Sequence, residues 1–187
     1  MSLRERLSEL VHACFTGLWI ESHEHDDALA EMAQLCQAEN WRLAAWDVTQ
    51  GLQLFGAQPT VDTGTNDPLA AIWSLAAFPP SDQPTLLVLV NFHRFLPSAE
   101  IVQALARQIT LGKQNRTFVV ILSPVIQVPT ELEKQFQIVT HELPSRTQLT
   151  DIARGIATGA EELPTGVELD RLLDAADVGR EIRCLGL

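Results

Sequence analysis

Two short apolar runs set the limits on what this chain can fold into. Thr85-Leu-Leu-Val-Leu-Val-Asn91 and Thr117-Phe-Val-Val-Ile-Leu-Ser123 have the length and composition of strands, yet neither alternates with polar residues. A strand apolar on both faces belongs inside a parallel sheet covered above and below by helices. Between the runs, Ile101, Val102, Leu105 and Ile109 recur at helical spacing, long enough for the crossover that parallel strands require. The fold class that follows is α/β.

The remaining segments extend the same pattern. Leu3, Leu7, Leu10, Val11 and Cys14 predict an amphipathic helix over residues 2–14. Gly17-Leu-Trp-Ile-Glu21 reads as a buried strand, residues 26–39 as a helix with Ala28, Leu29, Met32, Ala33, Leu35 and Cys36 on its apolar face, and Trp41-Arg-Leu-Ala-Ala-Trp46 as the next strand. Residues 49–66, with Gly51, Gly56, Pro59 and Gly64, predict a loop or a short hairpin across the sheet's edge. Asp67 and Pro68 are suited to cap and open a helix running to about residue 77, which Pro79, Pro80 and Pro84 stop. Ser98 is placed to cap a helix ending near Gly112; residues 131–134 form a helical turn and 136–139 a last strand. The expectation is a five-stranded, mainly parallel sheet with helices on both faces over residues 1–144. Leu149, Ile152, Ile156, Leu169 and Leu172 then predict a small helical tail, 145–187, partial and lid-like. The chain stops on Cys184-Leu-Gly-Leu187, which reads as a polypeptide continuing past this point, with an apolar patch near Leu185 and Leu187.

The charge balance excludes some partners. With 24 acidic residues against 13 basic ones the net charge is −11, and no basic run offsets it, so a phosphate backbone is repelled. The apolar runs fall far short of the roughly 20 residues a membrane-spanning helix needs. The N-terminus carries charge where a secretory signal needs apolar residues, which points to the cytoplasm. Cys14, Cys36 and Cys184 lack the paired spacing of a zinc site, and the first two sit at apolar helix positions expected to be core. Trp19, Trp41, Trp46 and Trp73 are likewise expected in the core.

The chemistry of the strand ends is defined as much by what is missing. A phosphate-cradling turn after the first strand needs glycines, so that backbone N–H groups can curl round the anion, and a lysine to neutralise it. Here the stretch is Glu21-Ser-His-Glu-His-Asp-Asp27, with no glycine, no lysine and four carboxylates. Those acids already occupy the positive end of the following helix. The strand ending at Val90 is followed by Asn91, Phe92 and His93, where a magnesium-holding carboxylate would be required; a neutral amide substitutes poorly. Asn91, His93 and Ser123 therefore read first as loop hydrogen-bonders. His23-Glu24-His25 does not converge on one point from either helix or strand, and reads as a solvated cap with no metal. No G-x-S-x-G elbow occurs, and no catalytic residue emerges. Asp47 follows a strand, but Glu21 and Asn91 do not complete the acidic cluster of a receiver-like domain. The second reading is a nucleotide bound at the carboxyl ends of the strands through Glu24, Thr49, Asn91 and Ser123.

Taken in order, Trp19-Ile-Glu-Ser-His-Glu24, Trp46-Asp-Val-Thr-Gln-Gly51, Asp67-Pro-Leu-Ala-Ala-Ile72, Val90-Asn-Phe-His-Arg-Phe-Leu96, Ile121-Leu-Ser-Pro124, Val128-Pro-Thr-Glu-Leu-Glu133 and Leu143-Pro144 resemble a known pattern. It is that of the N-terminal domain of the AAA ATPases of cyanobacteria and algal plastids, the hypothetical chloroplast reading frame type. The resemblance implies a sheet of P-loop NTPase/AAA type that has lost its Walker motifs. It implies a non-catalytic domain that packs against or regulates a catalytic AAA module or neighbouring subunits, or presents a surface to a protein client. It also implies that this part carries no cofactor, ATP and Mg²⁺ being expected only in a downstream module. The family usually has Asp where this chain has Asn91, and the following helix is altered, with Gln103 and Ala106 beside Arg107.

Overall fold

The structure, a computed structural model, describes residues 2–55, 66–78 and 83–141. The chain divides into two units, Met1–His141 and Glu142–Leu187. The expected helical tail and the apolar residues Leu185 and Leu187 lie outside the described residues.

The first unit begins with α1 (Leu3–His12), opened by a capping box in which Ser2 and Glu5 satisfy each other's backbone N–H groups. Then follow β1 (Gly17–Glu21), α2 (His25–Ala38), β2 (Arg42–Asp47), β3 (Gly51–Phe55) and α3 (Pro68–Trp73), which tightens into a 3₁₀ turn at Ser74–Ala77. β4 (Thr85–Val90) leads through a 3₁₀ turn at Phe92–Phe95 into α4 (Ala99–Asn115). β5 (Thr117–Ser123), a 3₁₀ turn at Thr130–Leu132 and β6 (Gln137–Thr140) complete it. Asp67 caps α3 as its sequence predicts, accepting from the Leu69 and Ala70 amides with Pro68 in the first turn.

The sheet has six strands in the order β3-β2-β4-β5-β1-β6, not the five expected. The extra strand is β3, antiparallel to β2; the other neighbours are all parallel. Of the two readings of residues 49–66, the hairpin is what forms over Gly51–Phe55. Asp47 Oδ1 gathers the Thr49 and Gln50 amides, and Gly51 at φ 72° reverses the chain. Leu52 then packs inward while Gln53 faces out. Gly112, by contrast, does not end α4, which runs on to Asn115 and terminates on Arg116 in the left-handed conformation.

Both faces of the sheet are covered, as the unbroken apolar strands require. One face sets Trp19, Trp46, Leu87, Leu89, Val119 and Ile121 against α3 and α4. The other sets Leu18, Ile20, Leu86, Val88, Phe118, Val120 and Leu122 against α1 and α2. Two expectations fail at the periphery. Trp19 and Trp46 are fully buried, but Trp73 is 53% exposed at the end of the short α3, beyond the reach of the sheet. Cys14 is exposed, whereas Cys36 is buried as expected. The periodicity that placed Cys14 inward stops mattering once α1 ends at His12 and the chain turns through φ 58° at Cys14.

Candidate functional site

Parallel strands bring their carboxyl ends to one edge, and here the turns after β2, β4, β5 and β1 meet there beside the end of β6. Backbone bonds extend the sheet one residue beyond the strands along this rim. The Asn91 amide donates to Leu122 O at 2.8 Å, Ser22 to Ser123 O at 2.9 Å and His141 to Glu21 O at 2.8 Å. The chain leaves β1 over one face through α2, whereas the turn after β4 leads to α4 on the other. Their divergence makes the rim a topological switch region.

The four sequence-derived candidates fall on separate turns. Glu24 is the residue before α2; its side chain caps nothing, while its amide donates to Ser22 Oγ at 3.1 Å. Ser123 is fully buried, and its hydroxyl donates to Val125 O at 2.6 Å within its own loop. Asn91 is exposed in the left-handed conformation at φ 54°, a shape that an asparagine adopts at less cost than most residues. Thr49 is exposed, folded back on Asp47 through its amide and hydroxyl. β2 lies three strands from β1, about 14 Å at ordinary strand spacing. Ser123 is thus brought beside the β1 turn, Asn91 lies one strand further along the rim, and Thr49 is remote.

Around the β1 turn the structure assembles groups that sequence reasoning missed. Ser22 Oγ is 2.8 Å from His141 Nδ1, and His141 Nε2 is 3.6 Å from Glu31 Oε1. Nothing local signals this, since His141 lies 119 positions from Ser22 and meets it only through the β1–β6 pairing. Nearby, His93 is buried in the turn after β4, and the ring nitrogens His93 Nδ1 and His25 Nε2 are buried with no hydrogen-bond partner among the described residues. Burial holds the His93 imidazole below its ordinary value, aided by Arg94 and by His25. His25 is lowered first by burial and further by His23, against the opposing pull of Asp26 and Glu24. Asp47 is lowered as well: burial pushes it up, but the Thr49 hydroxyl and the Gln50 and Thr49 amides outweigh that. Among the described residues no three His, Cys, Asp or Glu side chains gather as a metal site would need. Val48, Val125 and Ile126 are exposed on the same rim.

Strand order, two covered faces and a polar rim define an α/β domain whose polar side chains gather where the parallel strands end. Residues 3–141 match the family described as SpoVK-like AAA ATPase, N-terminal domain, and the chain belongs to that family. No curated protein is significantly similar to it in sequence. Among the described residues, no helix is long and apolar enough to cross a membrane.

Proposed function

We propose that this domain acts by contact and not by turnover. It packs against or regulates a catalytic AAA module, or presents a surface to a protein client. The observation that carries this reading is the β1–α2 turn. The Glu24 amide, which would have to face a bound phosphate, is occupied by Ser22 Oγ. Glu24, Asp26 and Asp27 place carboxylates at the helix N-terminus that would otherwise attract an anion. The exposed Val48, Val125 and Ile126 give the same rim apolar area suited to a protein partner. On this reading ATP and Mg²⁺ belong to a separate module, the sheet is a degenerate AAA-type scaffold, and the chain serves in the cytoplasm without nucleic acid. The motifs from Trp19 to Pro144 support kinship with the cyanobacterial and plastid type of AAA ATPase.

Calorimetric titration of the chain with Mg-ATP and with Mg-ADP tests this. The expected result is no saturable heat up to roughly millimolar nucleotide; saturation at micromolar concentration overturns it. A second reading, a non-standard nucleotide site, draws on the unpartnered His25 and His93 nitrogens near Asn91. It predicts that micromolar saturation and its loss in Asn91→Ala.

A further inference from the structure

His141 is the last residue of the first unit, and it is held at three points. Its amide donates to Glu21 O, one step past the Glu21–Thr140 pair that ends the β1–β6 ladder. Its ring, with the side chain 7% exposed, reaches Ser22 with one nitrogen and Glu31 with the other. One neutral tautomer of His141 is compatible with both of its ring contacts. With the proton on Nε2, 3.6 Å from Glu31 Oε1, Nδ1 accepts the Ser22 hydroxyl at 2.8 Å. Ser22 Oγ then accepts the Glu24 amide. A continuous polar chain therefore links α2, the end of β6 and the β1–α2 turn.

A serine, a histidine and a glutamate in contact invite a hydrolytic interpretation, which the geometry denies. Ser22 is 3% exposed, and its oxygen already takes the Glu24 amide and lies 3.2 Å from Glu24 O. A nucleophile has to meet its substrate, and this one is enclosed by its own turn. The network's contribution is mechanical.

We infer that Ser22, His141 and Glu31 form a coupling element that makes the β1–α2 turn and the segment by which the chain leaves the first unit respond as one body. Whatever engages the turn then alters how His141 is held at the end of β6. The inference goes beyond the contact reading and stands whether the rim meets a protein or a nucleotide.

Amide hydrogen exchange on the full chain tests it, with a readout independent of nucleotide binding. In Ser22→Ala, exchange is expected to rise about tenfold, the scale of one lost buried hydrogen bond, at Glu24 and also across the sheet at residues 137–141. His141→Phe is expected to produce the reciprocal rise at Glu24, and Ser22→Thr to restore protection. Faster exchange confined to residues 22–25 overturns the inference. So does an equal acceleration in β2, β4 and β5, which marks general destabilisation and no specific link. If Ser22→Ala does not fold, Glu31→Gln, at the more exposed end of the chain, gives the same test at residues 137–141.

Discussion

Gly112 brings its bare Cα so close to the Thr117 carbonyl that a Cβ there would overlap the oxygen. The same turn of α4 packs on Thr16, whose hydroxyl donates to Ile109 O at 2.6 Å. In an exposed helix interior, Gly→Ala gains about 1 kcal/mol of helix propensity. Here the obstruction is backbone, which cannot swing aside, so overpacking wins. Gly112→Ala is expected to destabilise the domain by about 1–3 kcal/mol, read as a lower urea midpoint. A raised midpoint would show that α4 can lift from β5 freely.

Acidification is expected to weaken the fold from near neutrality downward. His93 and His25 are both held below the ordinary value of 6.5, chiefly by burial. The unfolded chain therefore binds more protons than the folded one as pH falls through 6.5, and stability declines in that direction. Above 6.5 both forms are neutral at these sites and their contribution is level. Asp47 acts in a separate window, since its stabilisation is lost only as pH falls below its ordinary 3.8 toward its lowered folded value. Urea midpoints measured from about pH 7.5 to 5.5 should fall, and His93→Gln should flatten the slope. A midpoint independent of pH in the parent chain contradicts this.

The central sheet was legible because its cause is local. Strands such as Leu86–Leu89 and Val119–Leu122 are apolar at every position because both their neighbours, above and below, are helices. β3 was ambiguous because Gly51 and the glycines after it carry loop signals as strong as the alternation of Leu52, Gln53 and Leu54. What decides it is the Asp47 turn, a side-chain arrangement with no periodicity. The rim was less legible still. Sequence identifies which residues follow each strand, but strand order alone decides that Ser123 sits beside Glu21 while Thr49 is remote. The Ser22–His141 contact depends on β6 pairing with β1, a choice of partner that the apolar pattern of neither strand encodes.

The Asp47 turn yields a further expectation. One carboxylate oxygen accepts the Thr49 amide at 2.7 Å, the Gln50 amide at 2.9 Å and the Thr49 hydroxyl. These bonds aim the chain into Gly51 and so set the register of β3 on β2. Asp47→Ala should cost about 1 kcal/mol in thermal or urea unfolding and speed amide exchange along Gly51–Phe55. Asp47→Asn keeps an acceptor in place and should lose less. Equal losses for the two variants would mean that the charge, and not the turn geometry, supports the hairpin.

The two described cysteines should differ sharply toward a thiol reagent. Cys14 is exposed just beyond α1, while Cys36 is 3% exposed among Met32, Leu35 and the strand side chains beneath α2. Burial pushes the Cys36 thiol from 9.0 up to about 12, and the thiolate is the reactive form. That rise lowers its thiolate population about a thousandfold, before any steric exclusion is counted. With Cys184→Ser removing the third thiol, native chain should therefore react once quickly with an aromatic disulfide reagent, at Cys14, and release a second equivalent only on unfolding. The rate of that second step in mild denaturant reports how often α2 lifts from the sheet. Prompt reaction of both thiols in native buffer would show that α2 is not seated on β1, β2 and β4, and with it the β1–α2 turn would lose the support on which its closed geometry rests.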